Sequence, residues 1–263
     1  MAELGGVFRA QQEAAKYELC APFGHRLPRL RRRVEEDLAR RSHSKERTLA
    51  AIVKLLDTCN LRIGNESYAK ANKSFGLTTL RDRHATFKGT TMTLDYKAKS
   101  GKQRRLKITD ARLARFVKKC QDLPGQKLFQ YLGDDGEPHP VTSSDVNAYI
   151  REAMGEHFTA KHFRTWGASV VAYETLVTAD HPIGLKTMLE PVVERLGNTP
   201  AIARKSYVHP SLIVLGKDKA LQASFRQGLS LPRATQYLSR AERGLIAFLE
   251  AEASAPAPRK KAA

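Results

Sequence analysis

Apolar residues recur at helical spacing along most of this chain, and one short region departs from that spacing. The clearest helical pattern begins near Lys161. Its apolar residues follow one another at intervals of three or four: Phe163, Trp166, Val170, Tyr173 and Val177. Between residues 91 and 108 apolar and polar residues alternate instead, which is typical of strands. The sequence therefore predicts an α+β fold that is mainly α, with a small β-sheet or hairpin element.

The alternating region predicts a β-hairpin with a basic tip. Residues 91–96 and 105–108 alternate, and Lys97-Ala98-Lys99-Ser100-Gly101-Lys102 lies between them. Serine and glycine in this connection favour a turn. Because Thr78-Thr79-Leu80 suggests one further strand, we place the β element at about residues 76–109.

Helices are predicted on both sides of this element. Residues 8–20 predict a short helix that ends at Ala21-Pro22-Phe23-Gly24, and a second helix is expected after Pro28. Ser42 or Ser44 is expected to cap a third helix. The apolar stripe of that helix is expected in the core: Leu49, Ile52, Val53 and Leu56.

The charge of the chain indicates a polyanionic partner. Lysine and arginine number 45 against 27 aspartate and glutamate residues, which gives a net charge of +18. Nucleic acid is the first choice for such a partner. Residues 254–263 predict a disordered basic tail that can contact a polyanion. A basic protein that is merely soluble is the alternative.

The cysteines and the apolar runs argue against several classes of protein. The three cysteines are far apart and form no CxxC pair, so neither a zinc site nor a disulfide framework is expected. A reducing compartment fits this pattern. Met1–Phe8 has no signal-peptide pattern, and no stretch approaches the roughly 20 apolar residues of a membrane span.

Tyr207 is the candidate nucleophile. Arg204 and Lys205 lie just before it and Pro210 follows it. A phenol has a pKa of about 10, so it needs cations nearby to attack a phosphodiester. Such a reaction also needs charge on the phosphate oxygens neutralised and an acid for the leaving alkoxide. Arginine suits the first task and lysine the second, which makes Arg62, Arg164 and Lys99 candidates.

Five blocks of this sequence resemble the type IB DNA topoisomerases, in particular their compact poxvirus-like and bacterial members. The blocks occur in the order of that family and span roughly residues 8–250. They are Leu61-Arg62-Ile63-Gly64-Asn65-Glu66, Phe75-Gly76-Leu77-Thr78-Thr79-Leu80, Lys97-Ala98-Lys99-Ser100-Gly101-Lys102, Lys161-His162-Phe163-Arg164-Thr165-Trp166 and Ala203-Arg204-Lys205-Ser206-Tyr207.

The resemblance implies a DNA breaking-rejoining catalytic-domain fold and an activity on supercoiled double-stranded DNA. A tyrosine would form a 3′-phosphotyrosyl bond and release a 5′-hydroxyl, the nicked duplex would swivel, and religation would follow. Neither a metal, nor ATP, nor another cofactor is implied. The expected protein is a monomer in the cytoplasm, associated with the nucleoid of a bacterium, or a viral protein.

The resemblance assigns a role to each candidate. Tyr207 is the nucleophile, and Arg62 and Arg164 bind the two non-bridging phosphate oxygens. Lys99 occupies the position of the general acid, although Ala98 replaces the usual glycine before it. The remaining basic residues are expected to contact DNA: Lys161, Lys97, Lys102, Arg204 and Lys205.

Asn198 departs from the family pattern, because a histidine usually lies nine residues before the tyrosine. An asparagine amide can donate a hydrogen bond to a phosphate oxygen, but it cannot carry charge or shuttle a proton. Oxygen binding is therefore the expected role of Asn198. The alternative is that Asn198 only caps the helix that begins at Pro200.

Family members of this type also carry a small β-rich N-terminal domain. Only 61 residues precede Arg62, so this domain is expected to be missing, with weaker DNA binding and a shallower salt dependence as the result. We divide the chain into an interdomain helix and linker remnant over residues 1–27, a catalytic domain over 28–253 and the tail over 254–263.

Two other functions stay open. A tyrosine recombinase shares the catalytic layout, but recombinases usually carry a histidine three residues before the second arginine, where this chain has Lys161. A catalytically silent DNA-binding protein would bind duplex DNA with steep salt sensitivity and form no covalent adduct.

Overall fold

The computed structural model describes residues 16–254, and these residues fall into two compact units. Within the described range, the first unit comprises residues 16–27, 165–194 and 198–254, and the second comprises 28–164 and 195–197. Helices dominate and the strands form small antiparallel sheets, which confirms the predicted α+β class. The first part of the helix predicted over residues 8–20 and nearly all of the predicted tail lie outside the described residues.

The described helices follow one another in this order: α1 Cys20–Ala39, α2 Lys45–Cys59, α3 Glu66–Asn72, α4 Ala111–Gln121, α5 Ser143–Met154, α6 Ala160–Thr178, α7 Leu185–Leu196, α8 Pro200–Ser206, α9 Pro210–Lys217, α10 Lys219–Gln227 and α11 Arg240–Ser254. The described strands are β1 Ala85–Lys88, β2 Thr91–Lys97, β3 Gln103–Thr109, β4 Gln130–Leu132 and β5 Pro138–Pro140. None of the helices within residues 16–254 is both long and apolar enough to cross a bilayer.

The predicted hairpin is confirmed as β2 and β3 of a three-stranded antiparallel sheet in the order β1-β2-β3. The further strand predicted at Thr78-Thr79-Leu80 is wrong, since Leu77–Thr79 is a 3-10 turn. The Thr79 hydroxyl accepts the Gly76 N–H at 2.9 Å, so this threonine bonds its own turn and no neighbouring strand. The third strand comes from β1 instead.

The predicted core stripe lies on α2, in the second unit. Leu49, Ile52, Val53 and Leu56 are all buried, and α2 packs against α4, α5 and β4. The Ser44 hydroxyl accepts the Arg47 N–H at 3.3 Å and so caps the helix as predicted. The helix ends at Cys59, because Asn60 adopts the left-handed conformation with φ 50°.

The predicted helix end at Ala21-Pro22-Phe23-Gly24 is wrong, because α1 runs without a break from Cys20 to Ala39. Pro22 lies in the first turn, where its missing N–H needs no intrahelical partner. Pro28 lies inside the helix, which tolerates the loss of one hydrogen bond. Gly24 marks a close approach within the first unit, since a Cβ there would lie 2.5 Å from Trp166 Cη2.

The region before α5 holds a helix cap and a short strand pair. The cap is Thr142, whose hydroxyl accepts the Asp145 N–H at 3.2 Å. Strands β4 and β5 flank the acidic loop at residues 133–137 and were not predicted. Each has only three residues, which is too short for an alternating pattern to show.

The core of the first unit is built on α6, in agreement with the predicted apolar pattern. Trp166 and Tyr173 are buried. The Tyr173 ring meets Phe225 of α10 and Phe248 of α11 at centroid distances of 6.4 and 5.9 Å. This aromatic cluster anchors the two C-terminal helices to α6.

Candidate active site

Arg62 lies in the second unit, on a loop whose main chain is held from both sides. Its carbonyl accepts the Leu77 N–H at 3.0 Å, and the Ile63 carbonyl accepts the Thr78 N–H at 2.7 Å. Gly64 has φ +100°, a conformation that glycine adopts without steric cost. A Cβ at Gly76 would lie 2.5 Å from the Gly64 nitrogen, so only glycine lets the two segments approach this closely. The Arg62 side chain is partly exposed on this rigid loop.

Arg164 lies in the same unit, at the start of α6, and is only 5% exposed. Its guanidinium donates from Nη1 to the Asn60 carbonyl and from Nη2 to the Leu196 carbonyl, the latter at 3.2 Å. Asn60 in turn donates from Nδ2 to the Phe163 carbonyl at 3.1 Å. These bonds join the end of α2, the start of α6 and the end of α7, so the charge of Arg164 is held in one place.

Tyr96 lies within reach of the charges of both arginines and was not singled out from the sequence. Its phenol is 4% exposed on β2, and burial raises its pKa to about 12. The positive charges of Arg104, Arg164 and Arg62 act in the opposite direction on that pKa. Arg62 and Arg164, which are 102 positions apart in the chain, therefore lie close enough to act on one phenol. The available signal was the alternation on β2, where Met92, Leu94 and Tyr96 face the same side.

Arg104 is a second residue that sequence reasoning missed. It lies opposite Tyr96 on β3 and donates from Nη2 to the Arg195 carbonyl. The guanidinium also packs on Gly197, where a Cβ would lie 2.8 Å from Arg104 Nη1. Arg195 donates to the Thr58 carbonyl at 2.9 Å. This arginine cluster fixes the turn at residues 195–197, directly before Asn198 in the chain.

The basic tip of the hairpin carries Lys97, Lys99 and Lys102, all exposed. Lys99 lies in a tight turn that is closed by the Ala98 N–H, which donates to the Lys102 carbonyl at 2.8 Å. The Phe75 N–H donates to the Lys97 carbonyl at the same distance and ties the tip to the loop that follows α3. Lys161, in the first turn of α6, is also exposed.

Tyr207 lies in the first unit, at the C-terminal end of α8. Its N–H donates to the Ala203 carbonyl at 3.1 Å, and its side chain is half-buried. Tyr207 therefore lies where the helix passes into a turn. Arg204 and Lys205 of the same helix are exposed.

Asn198 does not cap α8. The cap is Thr199, whose hydroxyl accepts the Ile202 N–H at 3.3 Å, and Pro200 follows as the first helical residue. The Asn198 side chain is buried, with 9% of the residue exposed. The capping alternative is thereby removed, since Thr199 and not Asn198 caps α8.

Two further arginines of the second unit have structural roles. Arg31 donates two hydrogen bonds to Asp57 at 2.7 and 2.9 Å, and Arg33 donates to Glu152 at 2.9 Å. These two arginines, which lie in a basic stretch at residues 29–33, therefore help to hold the second unit together. Within residues 16–254, His, Cys, Asp and Glu form no group of three that could hold a metal ion.

Each unit thus carries one set of the predicted site residues. The second unit brings Arg62 and Arg164 to a common phenol and holds the lysines of the hairpin tip. Two guanidinium groups in one unit suit the two non-bridging oxygens of a phosphodiester. The first unit carries Tyr207, Asn198 and the two basic residues of α8.

Comparisons with known proteins show that the sequence of this chain is similar to DNA topoisomerases. The family model for the eukaryotic DNA topoisomerase I catalytic core matches residues 6–204, so the match ends three residues before Tyr207. A DNA topoisomerase 1B of Acanthamoeba polyphaga mimivirus is 30% identical over 210 residues, which are 74% of this chain and 62% of the relative. A DNA topoisomerase 1 of Mycosarcoma maydis is 28% identical over 181 residues, 62% of this chain and 18% of the relative.

Solved structures of the XerH site-specific recombinase on difH substrates are also similar to this chain. The pre-cleavage complex has a TM-score of 0.45 and 15% identity and covers 69% of this chain and 48% of its own. The post-cleavage complex has the same TM-score and 13% identity and covers 76% and 51%. The family model matches well over half of the residues, and the chain belongs to the family of the eukaryotic DNA topoisomerase I catalytic core.

Proposed function

We propose that this chain is a type IB DNA topoisomerase catalytic domain that relaxes supercoiled duplex DNA. The reaction is a pair of transesterifications that needs neither ATP nor a metal ion. Double-stranded DNA is the partner, and the protein acts as a monomer in the cytoplasm, at a bacterial nucleoid or in a virus-infected cell. The net charge of +18 supports a polyanionic partner.

In the proposed cleavage step, Tyr207 Oη bonds to phosphorus and the bond from phosphorus to the 5′-oxygen breaks. The phenol proton passes to solvent, and Lys99 gives a proton to the departing 5′-oxygen. The cut strand swivels around the intact one. Religation is the reverse reaction, in which the 5′-hydroxyl attacks the phosphotyrosyl bond and releases Tyr207.

Arg62, Arg164 and Asn198 stabilise the charge that builds on the phosphate during both steps. Each arginine donates to a non-bridging oxygen, and the Asn198 amide adds a neutral donor. The hairpin lysines Lys97 and Lys102 contact the DNA backbone. Lys161, Arg204 and Lys205 do the same, which supplies much of the affinity for duplex DNA.

The observation that carries this proposal is that the charges of Arg62 and Arg164 both act on the pKa of Tyr96. Two arginines from distant parts of the chain act on one buried phenol, and Arg164 is further held by two backbone carbonyls. A guanidinium that is already held in place, as that of Arg164 is, needs little rearrangement to bind a phosphate in its transition state. Both arginines also lie in sequence blocks that resemble the type IB DNA topoisomerases, which supports the same role.

The test is relaxation of a supercoiled plasmid in EDTA without ATP, at low salt and with enzyme in excess. We expect a ladder of relaxed topoisomers with the natural chain and none with Tyr207→Phe. Tyr207→Phe should still bind the plasmid, because it lacks only one hydroxyl. Failure of the natural chain to relax DNA that it binds would favour the catalytically silent binding protein. Recombinant joints between plasmids would favour the tyrosine recombinase.

A further inference from the structure

The main chain beside Tyr207 is held by two residues from the start of the described chain. Lys16 Nζ donates to the Ser206 carbonyl at 3.0 Å, and Tyr17 Oη donates to the Lys205 carbonyl at 3.3 Å. Both acceptors lie in the last turn of α8, where backbone carbonyls lack intrahelical partners. All four residues belong to the first unit.

The same N-terminal segment also contacts the chain that follows Tyr207. The Tyr17 ring meets the His209 imidazole edge to face, with centroids 5.5 Å apart. The imidazole hydrogen bonds the Tyr17 backbone, and its Nδ1 accepts the Ser211 N–H at 3.3 Å. Lys16 Nζ lies 4.6 Å from the Tyr17 ring centroid, so the two residues also support each other.

The surroundings of Tyr207 explain why such support matters. Helix α8 has only seven residues, and helices this short are marginal without contacts from outside. The Tyr207 backbone leaves the helical conformation at φ −132°, ψ −44°. A nucleophile must nevertheless be held within about 0.5 Å of its productive position.

We propose that Lys16 and Tyr17 form a clasp that positions Tyr207 for attack. This proposal rests on the proposed function, and it adds two positioning residues to that site. The clasp touches neither DNA nor the reacting atoms. It acts through the carbonyls of Lys205 and Ser206 and through His209, which lie on both sides of Tyr207 in the chain.

The clasp is tested in the full chain with Tyr17→Phe, Lys16→Met and the double variant. Tyr17→Phe keeps the ring against His209 and removes only the hydrogen bond to Lys205. Lys16→Arg serves as the conservative variant, because a guanidinium can also donate to the Ser206 carbonyl. Lys219→Met and Tyr131→Phe are matched controls that remove the same groups from an exposed helix start and from β4.

The measurement is relaxation of a supercoiled plasmid by excess enzyme in EDTA, well below the unfolding temperature. We expect each single variant to lower the relaxation rate constant about fivefold and the double variant more, since each loses one hydrogen bond of ordinary strength. The fraction of plasmid finally relaxed and the affinity for plasmid should stay unchanged. Lys16→Arg and both controls should relax at nearly the natural rate.

Two outcomes would overturn the clasp while leaving the proposed function intact. The first is a natural rate constant in the double variant. The second is a slower relaxation that returns to the natural rate when the enzyme excess is raised, because a partly unfolded population lowers the amount of active enzyme and not its rate constant. A natural chain that binds plasmid but never relaxes it would instead overturn the proposed function, and the clasp with it.

Discussion

Asn198 and Thr199 are adjacent residues whose side chains have separable roles. Thr199 caps α8, and Asn198 is buried next to the turn held by Arg104. We expect Asn198→Ala to lower the relaxation rate constant about 10²-fold, which is typical for the loss of one donor to a developing phosphate charge. Thr199→Ala should instead lower the free energy of unfolding by about 1 kcal/mol through loss of the cap.

The two variants act as controls for each other, with plasmid relaxation and chemical denaturation measured on both. Asn198→His introduces the residue that is usual at this position in the type IB DNA topoisomerases. It should at least keep the natural relaxation rate, because histidine is also a hydrogen-bond donor. A stability loss in Asn198→Ala as large as that in Thr199→Ala, without a loss of rate, would argue against oxygen binding.

His209 makes the stability of the first unit dependent on pH. Burial lowers its pKa from 6.5 to about 4, with the hydrogen bond to the Tyr17 backbone acting weakly in the opposite direction. The unfolded chain therefore binds this proton first as the pH falls, so stability is lost between about pH 6.5 and pH 4. The loss is at most about 3.5 kcal/mol, since the two pKa values differ by about 2.5 and one pKa unit corresponds to about 1.4 kcal/mol.

His209→Asn should flatten this part of the pH profile, because asparagine can cap α9 and does not titrate. The check is urea denaturation of both proteins at several values between pH 4 and pH 7. His43, His84 and His162 also have lowered pKa values and keep a residual slope in both proteins. Identical slopes in the two proteins would show that His209 is not the titrating group.

At the scale of elements, the turn at residues 195–197 depends on Gly197. This residue has φ +66°, and a Cβ there would press on Arg104. We expect Gly197→Ala to lower the free energy of unfolding by about 1–2 kcal/mol, the cost of a side chain in the left-handed region. Relaxation should slow as well, because the turn precedes Asn198.

Gly228→Ala is the matched control, since Gly228 has φ −100° and open space where its Cβ would lie. It should leave both the stability, measured by chemical denaturation, and the relaxation rate nearly unchanged. Equal stability losses in the two variants would contradict the role of the left-handed turn.

The elements also show what the sequence could and could not reveal. The long periodic helices α2 and α6 and the hairpin β2–β3 were predicted because each carries its burial pattern in its own residues. Helix α1 was divided at its prolines because proline usually ends a helix. That rule does not say at which positions of a helix a proline is tolerated. The strand predicted at Thr78-Thr79-Leu80 failed because threonine hydroxyls can bond their own turn.

The residues of the candidate site also fall into those that the sequence revealed and those that it did not. Tyr207, Arg62 and Arg164 were singled out because they lie in recognisable blocks of sequence. Tyr96 and Arg104 were missed because their importance comes from contacts with distant carbonyls and charges. Lys16 and Tyr17 were missed for a similar reason, since their partners lie 188 to 190 positions later in the chain.

At the scale of the whole molecule, some positively charged residues form ion pairs with carboxylates and others are exposed to solvent. Arg31 and Arg33 are paired within the second unit, whereas Lys97 and Lys102 are exposed on the hairpin tip. If the latter two each neutralise one phosphate, replacing both with glutamine should lower the salt slope of DNA binding by about 1.8. Lys45→Gln, which removes a lysine paired with Asp145, should leave the slope unchanged.

Binding isotherms on one duplex at several salt concentrations give these slopes. Replacement of both hairpin lysines should weaken binding about equally for duplexes of different sequence, because phosphate contacts carry no sequence information. An unchanged slope would remove the hairpin tip from the DNA interface.

The most direct test of the central claim is to locate the covalent bond between protein and DNA. The natural chain is mixed with supercoiled plasmid in EDTA, the reaction is stopped with detergent, and the DNA-linked peptide is identified by mass spectrometry after nuclease and protease digestion. The proposed function predicts a nucleotide on Tyr207, attached through a 3′-phosphate, and no adduct with Tyr207→Phe. An adduct on another residue, or relaxation without any adduct, would contradict it.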